Sequence, residues 1–315
     1  MRIFPLSCLL FLFCLTSLPA LSTTEAHSRP GTELVVLGIA QDAGYPQTLC
    51  YRPHCMTAWQ DKSLRKMATS LAVVDHVHKA QYLFEATPDL PQQLYLLQQE
   101  WSNPDYQLQA VFLTHAHMGH YTGLMHFGRE SASTKQLPVY AMPQMRSFLE
   151  NNGPWSQLVK LNNIELKGLQ NKREVVLGNV RVTPVLVPHR DEFSETVGYL
   201  IKGKTKTALF IPDIDKWEKW DTAIEDLIPQ VDYALLDATF YSADELKGRT
   251  MAEVPHPLVV ESMDRFRDLP PEQKRKVIFI HLNHTNPLLD SSSPESLAVT
   301  DAGFRVASEG LVLPL

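Results

Sequence analysis

Four short apolar runs in this chain stop at a histidine or an aspartate, and that repeated arrangement constrains the fold more than any other feature. They are Ala110-Val111-Phe112-Leu113 before His115, Val185-Leu186-Val187 before His189, Leu209-Phe210-Ile211 before Asp213, and Val277-Ile278-Phe279-Ile280 before His281. Apolar runs of this length, rich in β-branched and aromatic residues, read as buried strands. Titratable side chains just past strand ends gather on the loops along one rim of a sheet, where function commonly sits on a rigid scaffold.

Further strands are expected over 33–38, 71–74, 81–85, 196–201, 207–211 and 233–236, with 71–74 and 81–85 forming a hairpin. Helical spacing predicts helices over 90–101, 144–151 and 261–269, and the alternating apolar residues of 304–315 predict a last strand. Prolines (22) outnumber glycines (14) and are spread along the chain, which fits many short elements better than a long-helix bundle. Residues 32–315 read as one domain.

The first residues stand apart. Met1 and Arg2 precede an apolar run over 3–21 that ends in Ala20-Leu21-Ser22, the pattern of a cleaved export signal over 1–22, followed by a polar leader over 23–31. The protein is therefore expected in the periplasm or outside the cell, and no second stretch is long enough to span a membrane. The formal net charge of -6 gives no broad basic field for nucleic acid, so the expected partner is a small-molecule substrate. Past the signal only Cys50 and Cys55 remain, flanking Tyr51-Arg52-Pro53-His54. In an oxidising compartment a local disulfide is the simplest reading, and a structural zinc held with His54 and a remote group is the alternative.

The chemistry is concentrated in Thr114-His115-Ala116-His117-Met118-Gly119-His120-Tyr121. Neutral imidazole is a good ligand for zinc, iron or copper, and His115 and His117, two apart on extended chain, can share an ion. His189, Asp213, His281 and His284 follow at later strand ends. A second H-x-H, His76-Val77-His78, falls at the expected hairpin turn without a supporting cluster and reads as structural.

In this order, His115-x-His117-x-x-His120, His189, Asp213 and His281 resemble the metallo-beta-lactamase superfamily. Gly38-Ile39-Ala40-Gln41-Asp42-Ala43-Gly44-Tyr45-Pro46-Gln47, Glu85-Ala86-Thr87-Pro88-Asp89, Leu235-Leu236-Asp237-Ala238-Thr239-Phe240 and His281-Leu282-Asn283-His284-Thr285-Asn286-Pro287 are similar to its coenzyme PQQ synthesis protein B branch. The resemblance implies an α+β fold, a four-layered αββα sandwich, with one or two metals between sheet edges. It also implies a first metal set of His115, His117 and His189, with Asp213 bridging to a second set containing His120 and His281.

One position departs from the superfamily pattern H-x-H-x-D-H: Gly119 stands where the aspartate belongs, and glycine has no ligand atom. Either His284 compensates or the protein holds a single metal. Three activities follow as expectations. The first is hydrolysis of an ester, lactone, amide or phosphodiester by water activated on zinc, with Asp213 orienting the water and His256 a candidate proton donor. The second is an oxidative role on iron, and manganese also suits such ligands. The third is a binding protein on an eroded enzyme fold. Asp42 and Tyr45, in the loop after the first strand, are candidate substrate contacts, although an Asp-Ala-Gly turn accounts for Asp42 equally well.

Overall fold

The structure, a computed structural model, describes residues 31–246 and 254–315. The expected export signal and most of the polar leader lie outside the described residues. Strands are numbered in chain order: β1 (Thr32–Gly38), β2 (Ser70–Asp75), β3 (Ala80–Phe84), β4 (Gln107–Phe112), β5 (Leu137–Ala141), β6 (Ile164–Gly168) and β7 (Val175–Leu177) come first. They are followed by β8 (Val180–Leu186), β9 (Val197–Lys202), β10 (Thr207–Ile211), β11 (Tyr233–Asp237), β12 (Val277–Ile280), β13 (Arg305–Val306) and β14 (Val312–Pro314). They form two sheets, ordered β14-β1-β2-β3-β4-β5-β6 and β13-β12-β11-β10-β9-β8-β7.

Each sheet is antiparallel at one side and parallel at the other. β1, β2 and β3 pair antiparallel and β3 to β6 parallel, while β7 to β10 pair antiparallel and β10 to β13 parallel. The parallel strands are joined through helices, as crossover connections require.

Side-chain alternation along the strands explains the layers. Leu34 and Val36 of β1, Leu71 and Val73 of β2, and Phe84 and Phe112 all face the second sheet and pack with Tyr199, Phe210 and Ile280. The intervening Val35, Ala72, Val74, Leu83 and Val111 face the other way, against Leu90 and Leu97 of the helix Leu90–Glu100 and Met145 and Leu149 of the helix Pro143–Asn151. A period of two buries both faces of a strand only when each face is covered. Val259, Phe266 and Val299, from or beside the helices Val259–Arg265 and Pro294–Asp301, cover the outer face of the second sheet. The result is the expected αββα sandwich.

Most expected strands form within a residue or two of their predicted bounds. The segment 304–315 differs: instead of one strand it makes two short ones, with β13 completing the second sheet and β14 pairing with β1 in the first. Strands β5, β6 and β7 were not expected. No helix among the described residues is long and apolar enough to cross a membrane.

Candidate metal centre

β4 ends at Phe112, and the chain runs on without regular structure, bending at Ala116 and His117, before the one-turn helix Met118–Tyr121 begins. This stretch brings His115 and His117 to one side, with His115 Nε2 2.8 Å from His117 Nδ1. After β8 and β10 come Pro188 and Pro212, which cannot donate to a ladder, so the chain turns out and presents His189 and Asp213. His115 Nε2 and His189 Nε2 lie 3.4 and 3.3 Å from Asp213 Oδ2, and His117 Nδ1 lies 4.0 Å from it. These four residues form one group with ligand atoms close enough to hold a single ion.

The same Asp213 oxygen reaches a second group. His120 Nε2 is 3.8 Å from Asp213 Oδ2 and 3.3 Å from Asp42 Oδ1, and His281 Nε2 is 4.0 Å from that Asp42 oxygen. Asp42, His120 and His281 are the members of this group. His281 is held at φ +68°, a left-handed conformation costly for a residue with a side chain and often retained at functional sites.

His284 is not in this group. The structure places it beside His54, with ring centroids 5.8 Å apart, next to the Cys50–Cys55 disulfide. The reason is the loop path: after His281 the chain turns, Asn286 N–H bonding to Asn283 O, and carries His284 away from His120. Of the two readings of the cysteines, the disulfide is the one present. His256 lies inside the centre: its Nδ1 donates to Asp237 Oδ2 at 2.9 Å and stands 3.1 Å from Asp213 Oδ1.

Four of the atoms facing the centre are buried without hydrogen-bond partners: His120 Nε2, His189 Nε2, His281 Nε2 and Asp42 Oδ1. Buried polar atoms are nearly always paired, so four orphans converging on two groups fit cations. The opposite nitrogens of His115, His117 and His281 are engaged, which fixes which of their nitrogens faces the centre, whereas Nδ1 of His120 and of His189 has no hydrogen-bond partner. His115 Nδ1 meets Thr114 Oγ1 at 2.9 Å, His117 Nε2 meets Glu192 at 2.8 Å, His281 Nδ1 meets Thr239 Oγ1 at 3.0 Å, and His120 Nδ1 stands 3.5 Å from Glu85. The donors are imidazole and carboxylate, a set that suits zinc and iron.

The protonation states divide between the two groups: burial opposes a charge on His120, but Glu85 and Asp42 outweigh it and raise His120 well above its ordinary value, so a cation there would have to displace its proton. Burial, reinforced by the neighbouring His120, holds His115 well below its ordinary value, and burial also lowers His281, so both stay neutral and able to coordinate. Burial disfavours the charge on Asp213, but His256 and His189 outweigh it and keep the carboxyl well below its usual range. Burial also opposes the charge on His256, yet Asp237 and Asp213 push it up to about 10. Burial raises Glu85, whose backbone is also left-handed at φ +76°.

Three carboxylates matter here that residue spacing did not single out as ligands or supports: Asp42, Glu85 and Asp237. Asp237 is fully buried and joins the centre's strand ends, accepting from Ile214 N–H, His256 and the backbone and hydroxyl of Thr239.

The chain belongs to the beta-lactamase superfamily: the sequence model of the beta-lactamase superfamily domain matches residues 80–282. With its buried His/Asp groups, it is a metallo-beta-lactamase-fold protein. More narrowly, it is 26% identical over 308 residues to coenzyme PQQ synthesis protein B of Xanthomonas euvesicatoria, covering 90% of this chain and 99% of that one. The corresponding protein of Methylococcus capsulatus is 24% identical over 310 residues, covering 89% and 99%. Among solved structures, the zinc-bound PqqB of Methylobacterium extorquens superposes with a TM-score of 0.73 at 24% identity, covering 90% of this chain and all of that one. A diphosphatase of the PhnP family superposes with a TM-score of 0.61 at 21% identity, covering 90% and 97%.

Proposed function

We propose that this protein is a metal-dependent hydrolase that directs water at an ester, lactone, amide or phosphodiester bond of a small molecule. The observation that carries the proposal is that one oxygen of Asp213 faces both the His115, His117, His189 group and His120 of the second group. A zinc ion held by the first group would lower the pKa of bound water to about 7 and polarise a substrate oxygen.

The chain's own residues do the rest. Asp213 Oδ2 faces the centre, where it accepts a proton-bearing ligand and orients it. His256, charged through the neutral range and anchored by Asp237, fixes the other oxygen of Asp213. With its Nδ1 held between Asp237 Oδ2 at 2.9 Å and Asp213 Oδ1 at 3.1 Å, His256 is committed to the two carboxylates, and this geometry favours a positioning role over proton donation. Gln144, Ser147, Phe148, Asn151 and Phe193 line an open depression of about 340 Å³, and Glu192, which meets His117, lines it too and so connects it to the centre. Its mixture of amide, hydroxyl and aromatic groups suits a small polar substrate with an apolar part.

The zinc in the similar PqqB structure and the phosphorus chemistry named for the PhnP-family diphosphatase support hydrolysis. The curated relatives are named for coenzyme PQQ synthesis, which supports a second reading, a part in making that coenzyme; an oxidative step there would call for iron, which the same donors also suit. Work outside the cytoplasm is part of the first reading, supported by the apolar run over 3–21. The test is elemental analysis of protein purified without chelator, joined to assays on p-nitrophenyl esters, a lactone and bis-p-nitrophenyl phosphate. Bound zinc with chelator-sensitive, zinc-restored turnover is the expected result. Bound iron with oxygen consumption and no hydrolysis overturns it in favour of oxidation, and failure to retain any metal leaves only a binding role.

A further inference from the structure

The superfamily pattern leaves the second metal group one carboxylate short at Gly119, and the structure shows what occupies that space. A Cβ built on Gly119 would stand 2.3 Å from Asp42 Cα and 2.6 Å from Asp42 Oδ1. No side chain fits at 119 because the backbone and carboxylate of Asp42, from the loop after β1, already fill the volume. Asp42 Oδ1 lies 3.3 Å from His120 Nε2 and is buried with no hydrogen-bond partner, although the residue as a whole is part-exposed.

A turn role does not account for this side chain. The turn is closed by backbone, Gly44 N–H bonding to Gln41 O at 3.0 Å, and Asp42 Oδ1 caps nothing. Asp42 is held at φ +38°, a conformation Asp tolerates better than most residues but which still costs energy. The loop is fastened to the strand end that carries His281: Leu282 N–H bonds to Ile39 O at 2.8 Å, and Gln41 N–H bonds to Leu282 O at 2.8 Å. Ala40 bridges both Ala68, just before β2, and Leu282, just after β12. The backbone thus sets Asp42 in front of His120 and His281 from two directions.

We infer that Asp42 and Gly119 are an exchanged pair: the carboxylate has moved to the loop after β1, the glycine makes room for it, and the centre holds two metal ions. The inference rests on the metal-centre reading above but not on the reaction. The experiment loads the full chain with zinc, removes excess metal, and counts ions per chain by elemental mass spectrometry for the wild type, D42N and G119A. Asn is isosteric with Asp and also accepts a left-handed backbone, and the melting temperature of each metal-free variant checks that it folds.

The expected result is two ions in the wild type and one in D42N, with the remaining ion retained by His115, His117 and His189. G119A is expected to push the Asp42 loop aside and likewise retain one ion. With cobalt in place of zinc, the spectral component titrating with the second equivalent should vanish in D42N. Two ions in both wild type and D42N overturn the inference while leaving the hydrolase proposal standing. A single ion in the wild type also overturns it and leaves a one-metal hydrolase, whereas no ion in any variant overturns both.

Discussion

Glu85 shows how a residue can matter to this centre without facing it. Both its oxygens are buried without hydrogen-bond partners, and its nearest charged neighbour is His120 Nδ1 at 3.5 Å. A carboxylate behind a metal-binding imidazole orients the ring and raises its basicity, and losing one commonly costs 10 to 100-fold in metal affinity. Glu85→Ala should therefore weaken metal binding about 10 to 100-fold, measured by competition with a chromogenic chelator. His284→Ala should leave the metal content of the oxidised protein unchanged, since His284 packs on His54 and not with His120; a lost equivalent would restore it as a ligand. His115, His117, His120, His189, Asp213 and His281 were legible in the sequence because imidazole density and strand-end placement are local signals. Asp42, Glu85 and Asp237 each look locally like a turn or strand-end residue, and only tertiary packing brings them to the histidines.

At the end of β2, Asp75 is the element-scale counterpart. It is fully buried, accepts from the backbone N–H groups of Val77 and His78 through Oδ1, and meets His78 Nδ1 and Asn179 N–H through Oδ2. This gives His76-Val77-His78 a structural account, with His76 in turn held between Tyr106 and Glu33. Burial opposes the Asp75 charge, but the hydrogen bonds from His78 and Asn179 prevail and lower its pKa. A lowered carboxyl stabilises the fold above its unfolded value of about 3.9 and loses that contribution as pH falls through the folded value. Asp75→Ala should cost about 1–3 kcal/mol near neutrality and flatten the stability loss below about pH 4, both read from urea denaturation. Strands β5 and β6 escaped the sequence reading for the same kind of reason. β5 carries Pro138 and β6 carries Lys167, and both are secured by parallel pairing to neighbours distant in sequence.

Across the whole molecule, the two sheets are locked beneath the metal centre by Tyr199. It lies fully buried on β9, meets Phe84 and Phe112 edge to face at 5.5 and 5.7 Å, and its hydroxyl donates to Leu113 O, two residues before His115. Aromatic pairs of this geometry add to what burial alone supplies. Tyr199→Phe keeps the rings but strands the Leu113 carbonyl, and should cost about 1–3 kcal/mol in denaturant unfolding. The global sandwich was legible because alternation and strand order are written along the chain. The division of 304–315 between two sheets was not, because two short strands with a turn between them carry the same alternation as one longer strand.

That division bears on how the molecule is assembled during synthesis. β1, made well before β14, has that strand as its outer neighbour, with Leu34 opposite Leu313, and Leu315 N–H bonds back to Thr32 O. Until β14 emerges, β1 presents an open row of backbone donors and acceptors, the kind of edge that recruits other chains. The strand that leads into the Asp42 loop is therefore the last to gain its second neighbour, and a nascent or truncated chain carries its most adhesive edge directly beside its future metal centre.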